Sequence, residues 1–196
     1  MENKELYNEY MKVFLEENSK VNLISKNDEK FLWEKHICDS LAISTFFEKY
    51  KLPKTLLDIG TGGGFPALPI AIKYPQIKVV AVDSIAKKIR AIDAIKNTLG
   101  LENITPICSR VEVLDGTFDV VTSRAVSSLK NICEYALPKL RKGGYFVAYK
   151  SRKTPEEIDE ANSVLKKYKA KIVEIIEYKL PIDVEHTRTL IVIRKV

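Results

Sequence analysis

Apolar positions along this chain recur at two different spacings, and the change from one to the other divides it. Residues 4–18 carry Leu6, Tyr10, Val13 and Phe14 at helical intervals. Residues 28–50 carry a second helical pattern, with Asn27 and Asp28 as candidate caps at its entrance. Pro53 closes this preface. Beyond it, short apolar runs rich in β-branched residues alternate with amphipathic stretches. The runs predict strands near 55–60, 77–82, 104–108, 118–123 and 144–150, and the stretches predict helices near 66–74, 85–99, 128–139 and 155–168. Strands apolar on both faces belong in a parallel sheet with helices on each side. The rhythm breaks at the end. Lys171–Leu180 and Thr187–Lys195 are strand-like runs with no helix between them, joined by a Pro181–His186 turn. They predict a hairpin that sets one strand antiparallel to the rest. The expected organisation is a helical extension, 1–53, packed on an α/β core, 54–196, in one structural domain.

Composition narrows the class. The chain has 196 residues, enough for one sizeable core and too few for two nucleotide-binding domains. No apolar run approaches the ~18–20 residues a bilayer span needs. The opening MENKELYNEYMK is charged, so no secretory signal is expected and a cytoplasmic protein is. Cys38, Cys108 and Cys133 are odd in number and form no C-x-x-C, which predicts reduced, mostly buried thiols, Cys108 among them. The only histidines, His36 and His186, lack zinc-site spacing, so no metal is expected. Lys plus Arg number 32 against 26 Asp plus Glu, a net charge of +6. The excess clusters at Lys87–Arg90, Lys139–Lys142, Lys150–Lys153 and Lys166–Lys171. Such a balance suits a polyanionic partner, although the last cluster reads equally as a solvated helix end.

The candidate chemistry begins at residues 56–66, LLDIGTGGGFP. An apolar run ends in Asp58 and meets Gly60, Gly62, Gly63 and Gly64. Residues without Cβ let a ligand lie against the main chain. The D-x-G-x-G-x-G form is typical of S-adenosyl-L-methionine methyltransferases. A dinucleotide fingerprint would require glycine where Phe65 stands. The next strand ends in Asp83, where nucleotide-binding α/β folds place an acid on ribose hydroxyls. The competing role for Asp83 is to cap the helix that starts near Ser84.

Other positions carry weaker signals. Arg124 ends the fourth strand at the edge where open α/β sheets bind ligands. Its expected anionic partner is the cofactor carboxylate, Asp58 or an RNA phosphate. Lys150 ends the fifth strand at the same edge, with Arg152 and Lys153 beyond it, and these three are candidates for RNA phosphates or for a solvated cluster. His36 and Asp39 share a helical face; they and Ser40 either pack the helix or border a substrate mouth. Tyr145, Phe146 and Tyr149 read as core. No G-x-S-x-G elbow, phosphate loop, [ND]PP[YF] tetrad or Pro-Cys dipeptide occurs.

Several of these stretches occur together in one known arrangement. LDIGTGGGFP, Val82–Ile89 (VDS-x-x-KKI), Val111–Glu112, Ser123–Val126 (SRAV), residues 137–144 (LPKLRKGG) and His36–Leu41 (H-x-x-DSL) run in order along nearly the whole chain. The sequence resembles the RsmG (GidB) family of bacterial ribosomal RNA methyltransferases. That resemblance implies a class I methyltransferase fold, a Rossmann-like sheet of five parallel strands plus a C-terminal antiparallel hairpin. It implies S-adenosyl-L-methionine as cofactor and methyl transfer to N7 of a guanosine in the helix 18 loop of 16S rRNA. The partner would be 16S rRNA, the 30S subunit or an assembly intermediate, met by a monomer. By similarity Asp58, Gly60, Gly62 and Phe65 lie along the cofactor. Asp83 takes the ribose, Val111 and Glu112 the adenine edge, and Arg124 the end of the fourth strand. Ala67, Lys35 and Ser151 stand where the family often has Gly, Arg and Gly. Lys35 would then bind RNA phosphate as a point charge rather than a fork. Ring-nitrogen methylation also suits the missing acid–base pair, because N7 attacks through an in-plane lone pair. Three rival readings remain: a class I methyltransferase of small molecules or proteins, a non-catalytic RNA-binding or nucleotide-sensing domain, and an NAD-dependent oxidoreductase. Phe65 and the closing hairpin count against the last.

Overall fold

The computed structural model describes residues 4–125, 127–151, 155–182 and 187–196. Seven strands form one sheet: β1 (Thr55–Ile59), β2 (Lys78–Asp83), β3 (Ile104–Cys108), β4 (Phe118–Arg124), β5 (Leu140–Lys150), β6 (Ala170–Lys179) and β7 (Thr187–Lys195). Their spatial order is β3-β2-β1-β4-β5-β7-β6. The first five pair in parallel; β7 runs antiparallel to both β5 and β6, with Ala148 opposite Ile191 and Ile175 opposite the same residue. The predicted fold and its reversed strand are therefore both present.

Burial alternates with the pleat, as period-two side chains require. Leu56 and Val120 face one core with Leu68, Ile92 and Val192, while Leu57 and Val121 face another with Ile132, Phe146 and Ile191. The first core also takes Tyr10 and Phe14 from α1 (Lys4–Val21). The Tyr7 hydroxyl on α1 donates to the Pro69 carbonyl at 3.1 Å. Helices α5 (Ala67–Lys73) and α6 (Ala86–Thr98) also cover this side, with Phe46 and Phe47 of the extension; α7 (Leu129–Ala136) and α8 (Pro155–Lys167) cover the other.

The second helical segment is not continuous. It breaks into α2 (Lys26–Glu29), a π-helical turn (Leu32–Cys38), α3 (Asp39–Leu41) and α4 (Ser44–Tyr50). Neither Asn27 nor Asp28 opens it: the Ser25 hydroxyl accepts from the Asp28 amide at 3.2 Å. The wider π turn, with the first residue of α3 after it, sets Lys35, His36 and Asp39 along a single cavity. A second correction concerns the thiols. Cys133 is buried and Cys38 half-buried, but Cys108 is exposed because β3 is the edge strand. Phe146 and Tyr149 are core; Tyr145 sits half-buried against Phe46 and Tyr50.

Candidate active site

The chain reverses its strand order at β1 and β4, and the carboxyl ends there open a crevice. Beyond Ile59 the Thr61 amide donates to the Val82 carbonyl at 3.0 Å, and the amides of Gly64 and Phe65 return to the Thr61 carbonyl. This folds the glycine turn over the strand ends. Gly62 has φ +57°, and a Cβ built there meets nothing nearer than the Gly60 carbonyl oxygen at 3.9 Å. It would project into open space. Asp83 braces the turn: Oδ2 accepts from the Gly62 amide and Oδ1 from the Ile85 amide, each at 2.9 Å. Its carboxylate lines the crevice and closes a turn ahead of α6, whose N-cap is Ile85 without a side-chain cap, so Asp83 is not the cap. An ionised carboxylate has about four acceptor positions, so roughly two remain for a ligand.

The crevice is a cavity of about 820 Å³ with Gly60, Gly62, Phe65, Asp83, His36 and Arg124 in its wall. That volume lies within the usual range for small-molecule sites. Within the protein the anionic partner of Arg124 is Asp39 and not Asp58. Its guanidinium donates to Asp39 Oδ2 at 2.8 Å and reaches His36 Nδ1 at 3.1 Å. It also lies over the Phe65 ring, 5.0 Å from the centroid. Tyr178 on β6 donates its hydroxyl to the other Asp39 oxygen at 2.6 Å. An arginine can only donate, so Nδ1 of His36 accepts and the imidazole is neutral with its proton on Nε2. Burial and the adjacent Arg124 charge push His36 down to about 4, in agreement with that tautomer.

Asp58 lies beneath the turn rather than in the cavity wall. It is fully buried, the Thr122 hydroxyl donates to Oδ1 at 2.9 Å, and Oδ2 has no partner. Burial raises it to about 7 against the opposing pull of nearby hydroxyls and Arg124. Ser40 corrects another expectation. It does not border a mouth: it is buried, its hydroxyl donates to the His36 carbonyl and its own carbonyl accepts from Tyr149. Of the remaining basic candidates, the two among the described residues are internally paired. Lys35 meets Asp28 at 3.0 Å, and Lys150 is held by Glu157 and by the Ser127 carbonyl.

Val111 and Glu112 form a one-turn 3-10 helix after β3, Val111 buried and Glu112 exposed, outside the cavity wall. Arg152, Lys153, His186 and Val126 lie outside the described residues. The sequence reading missed Tyr178 and Arg188, which the hairpin brings into the wall, and the Leu23–Ser25 loop. Because β6 runs parallel to β1, its last turn of chain arrives at the same edge as Arg124; only the strand order reveals this. Among the described residues, no group of three or more His, Cys, Asp or Glu could hold a metal ion.

Comparison with known proteins decides the relationship. The family model described as rRNA small subunit methyltransferase G matches residues 3–186. The chain belongs to this family. It is 36% identical over 197 residues to the ribosomal RNA small subunit methyltransferase G of Staphylococcus aureus strain JH9, covering 98% of this chain and 82% of that one. The protein of the same name from Lachnoclostridium phytofermentans is 39% identical, over 95% of this chain and 79% of its own. The fold is also that of the N-methyltransferase NodS from Bradyrhizobium japonicum, solved with S-adenosyl-L-homocysteine. The TM-score is 0.64 at 12% identity, over 93% of this chain and 98% of that one. This family member thus has the class I methyltransferase fold, and among its described residues no helix is long and apolar enough to cross a membrane.

Proposed function

We propose that this chain transfers the methyl group of S-adenosyl-L-methionine to N7 of a guanosine in 16S rRNA, in the helix 18 loop. Family membership supports the reaction class and the rRNA substrate. The Asp83–Gly62 hydrogen bond carries the cofactor reading, because it sets a carboxylate with unused acceptor positions beside open backbone in one wall. The residues fit the cofactor: Asp83 has unused acceptor positions, Gly60 and Gly62 offer side-chain-free surface, and Phe65 supplies an apolar face. Asp58 supports the turn from below. Val111 and Glu112 flank the adenine end. When bound, the cofactor supplies an electrophilic methyl group.

The N7 reading rests on what the wall does not offer. Asp39 is engaged by Arg124 and Tyr178, and the His36 lone pair faces Arg124. To take a proton, His36 would have to leave Arg124 and Asp39 would have to weaken its ion pair. An in-plane nitrogen lone pair needs none removed, so alignment and a dry electrostatic frame suffice. Arg152 and Lys153 are assigned to phosphates on the RNA approach, which Lys35 and Lys150 flank as cations paired within the protein. The extension 1–53 and the core 54–196 act as one cytoplasmic monomer, on 16S rRNA or a 30S particle.

The test is incubation with tritiated S-adenosyl-L-methionine and 16S rRNA lacking the modification. Borohydride and aniline then cleave at N7-methylated guanosine. Label at one loop guanosine is expected; label on another base, or only on protein or metabolites, would overturn the reading.

A further inference from the structure

Three cations at the crevice are neutralised within the protein, Arg124 by Asp39, Lys35 by Asp28 and Lys150 by Glu157. Lys88 and Arg188 also line it, and among the described residues neither has an ion pair. A substrate as large as rRNA can use further charge. The opposite edge of the sheet supplies it, where β5 and β6 begin and β7 ends. Lys142, Lys171 and Arg194 are all exposed there, and together with Lys195 they line a shallow cavity of about 250 Å³. Among the described residues, no carboxylate comes within ion-pairing distance of the first three.

Register makes this arrangement costly. Lys171 is directly opposite Arg194 across β6 and β7, and Arg194 is opposite Tyr145 across β5. Like charges in facing positions destabilise a ladder. Arg194 is held over the Tyr145 ring, its guanidinium carbon 5.7 Å from the centroid. Lys195 is fixed by the carbonyls of Leu137 and Leu140, at 2.9 and 2.8 Å. Arg194 and Lys195 are thus held in place, and Lys142, Lys171 and Arg194 sit around a concave surface without an ion pair among the described residues. Eight residues of β5 separate Lys142 from Lys150, about 26 Å at the usual strand rise.

We infer that Lys142, Lys171 and Arg194 form a second RNA-contact surface, holding phosphates of the ribosomal RNA about 26 Å from the methyl-transfer crevice. This rests on the rRNA reading above and adds a partner surface to it. A substrate as large as 16S rRNA can reach both edges of the sheet at once, whereas an isolated target loop reaches only the crevice.

The test combines Lys142→Gln, Lys171→Gln and Arg194→Gln in one variant. Binding of 16S rRNA is measured across a salt series, with cofactor affinity and thermal midpoint alongside. Losing three phosphate contacts should flatten the slope of log K against log salt by about 2 and weaken binding about tenfold or more at low salt. Cofactor affinity and binding of an isolated target-loop hairpin should be unchanged, and the midpoint unchanged or higher because a repulsive pair is gone. A wild-type slope on 16S rRNA would overturn the inference, as would equal losses on the hairpin. Methyl transfer is read separately. A wild-type protein that binds rRNA with the patch-dependent slope but transfers no methyl would refute the functional reading and leave this surface standing.

Discussion

The guanidinium of Arg124 meets the carboxylate of Asp39 at 2.8 Å, joining the end of β4 to the start of α3 in the N-terminal extension. Tyr178 closes the same carboxylate from the hairpin, so three distant stretches of sequence converge on a single acid. Both partners of the ion pair are largely out of solvent, with side-chain exposures of 16% and 8%. Stranding one of them should therefore be expensive. Asp39→Ala is expected to cost about 3–5 kcal/mol, as for other broken buried pairs, and Tyr178→Phe about 1.5–3 kcal/mol for a bond to a charged acceptor. Urea unfolding measures both. Equal, negligible losses would mean the junction is held by apolar packing alone.

The glycine turn separates binding from folding. Gly62 opens onto the cavity, but a Cβ on Gly64 would collide with the Leu68 side chain, and both have positive φ. Gly62→Ala should weaken cofactor binding, at a backbone cost of about 1–2 kcal/mol from the left-handed conformation. Gly64→Ala should lose more stability, because overpacking adds about 1–3 kcal/mol. Calorimetric titration and thermal melts on the two variants give the contrast. A Gly62→Ala protein with wild-type cofactor affinity would move the ligand away from this turn.

Asp83 predicts a mixed effect. Its two oxygens hold Gly62 and Ile85 in the protein alone, so Asp83→Ala should reduce stability as well as cofactor affinity, each by about 1–3 kcal/mol. Stability loss with unchanged affinity would leave only the bracing role.

Two buried groups titrate in opposite directions. Folded His36 is pushed to about 4 from an ordinary 6.5, so the unfolded chain holds more protons between those values and stability falls as pH falls. Folded Asp58 is raised to about 7 from 3.8, so the folded chain holds more protons in that window and stability falls as pH rises. The windows overlap and flatten the wild-type profile. Relative to wild type, Asp58→Asn should gain stability from pH 4 to 7, and His36→Gln should lose it from pH 4 to 6.5. Urea midpoints over that range test both signs.

Much of this architecture was legible because the strands are short apolar runs between helical stretches. Thr187–Lys195 begins and ends where its pattern predicts. The glycine turn and Asp83 were legible because the turn needs particular residue types at particular positions. The π turn was not, since its apolar spacing resembles an ordinary helix, and so Ser40 stood open between packing the helix and bordering the mouth. The partner of Arg124 was hidden for a different reason. Asp39 lies 85 residues earlier, and only the packing of the extension brings it near. Cys108 was misplaced because strand order, which makes β3 an edge, is not written in hydropathy.

Lys150 tests how the crevice handles charge. Its ammonium is bound by Glu157 and by the Ser127 carbonyl at 2.8 Å, and the same Glu157 oxygen accepts from the Leu129 amide at 2.6 Å. The lysine thus ties the end of β5 to the start of α7 and to α8, and it is a paired cation rather than one waiting for phosphate. Lys150→Ala should destabilise the protein by about 1–3 kcal/mol, because it strips a charge-assisted partner from a carboxylate that is 22% exposed. The salt slope of rRNA binding should stay close to wild type. Glu157→Gln should do the reverse, releasing the ammonium toward the mouth and steepening the slope by about 0.7–0.9 for one added phosphate contact. Filter binding at several salt concentrations distinguishes the two. If Lys150→Ala flattens the slope by that amount without loss of stability, the lysine leaves Glu157 for RNA, and the crevice itself carries phosphate contacts that its paired state conceals.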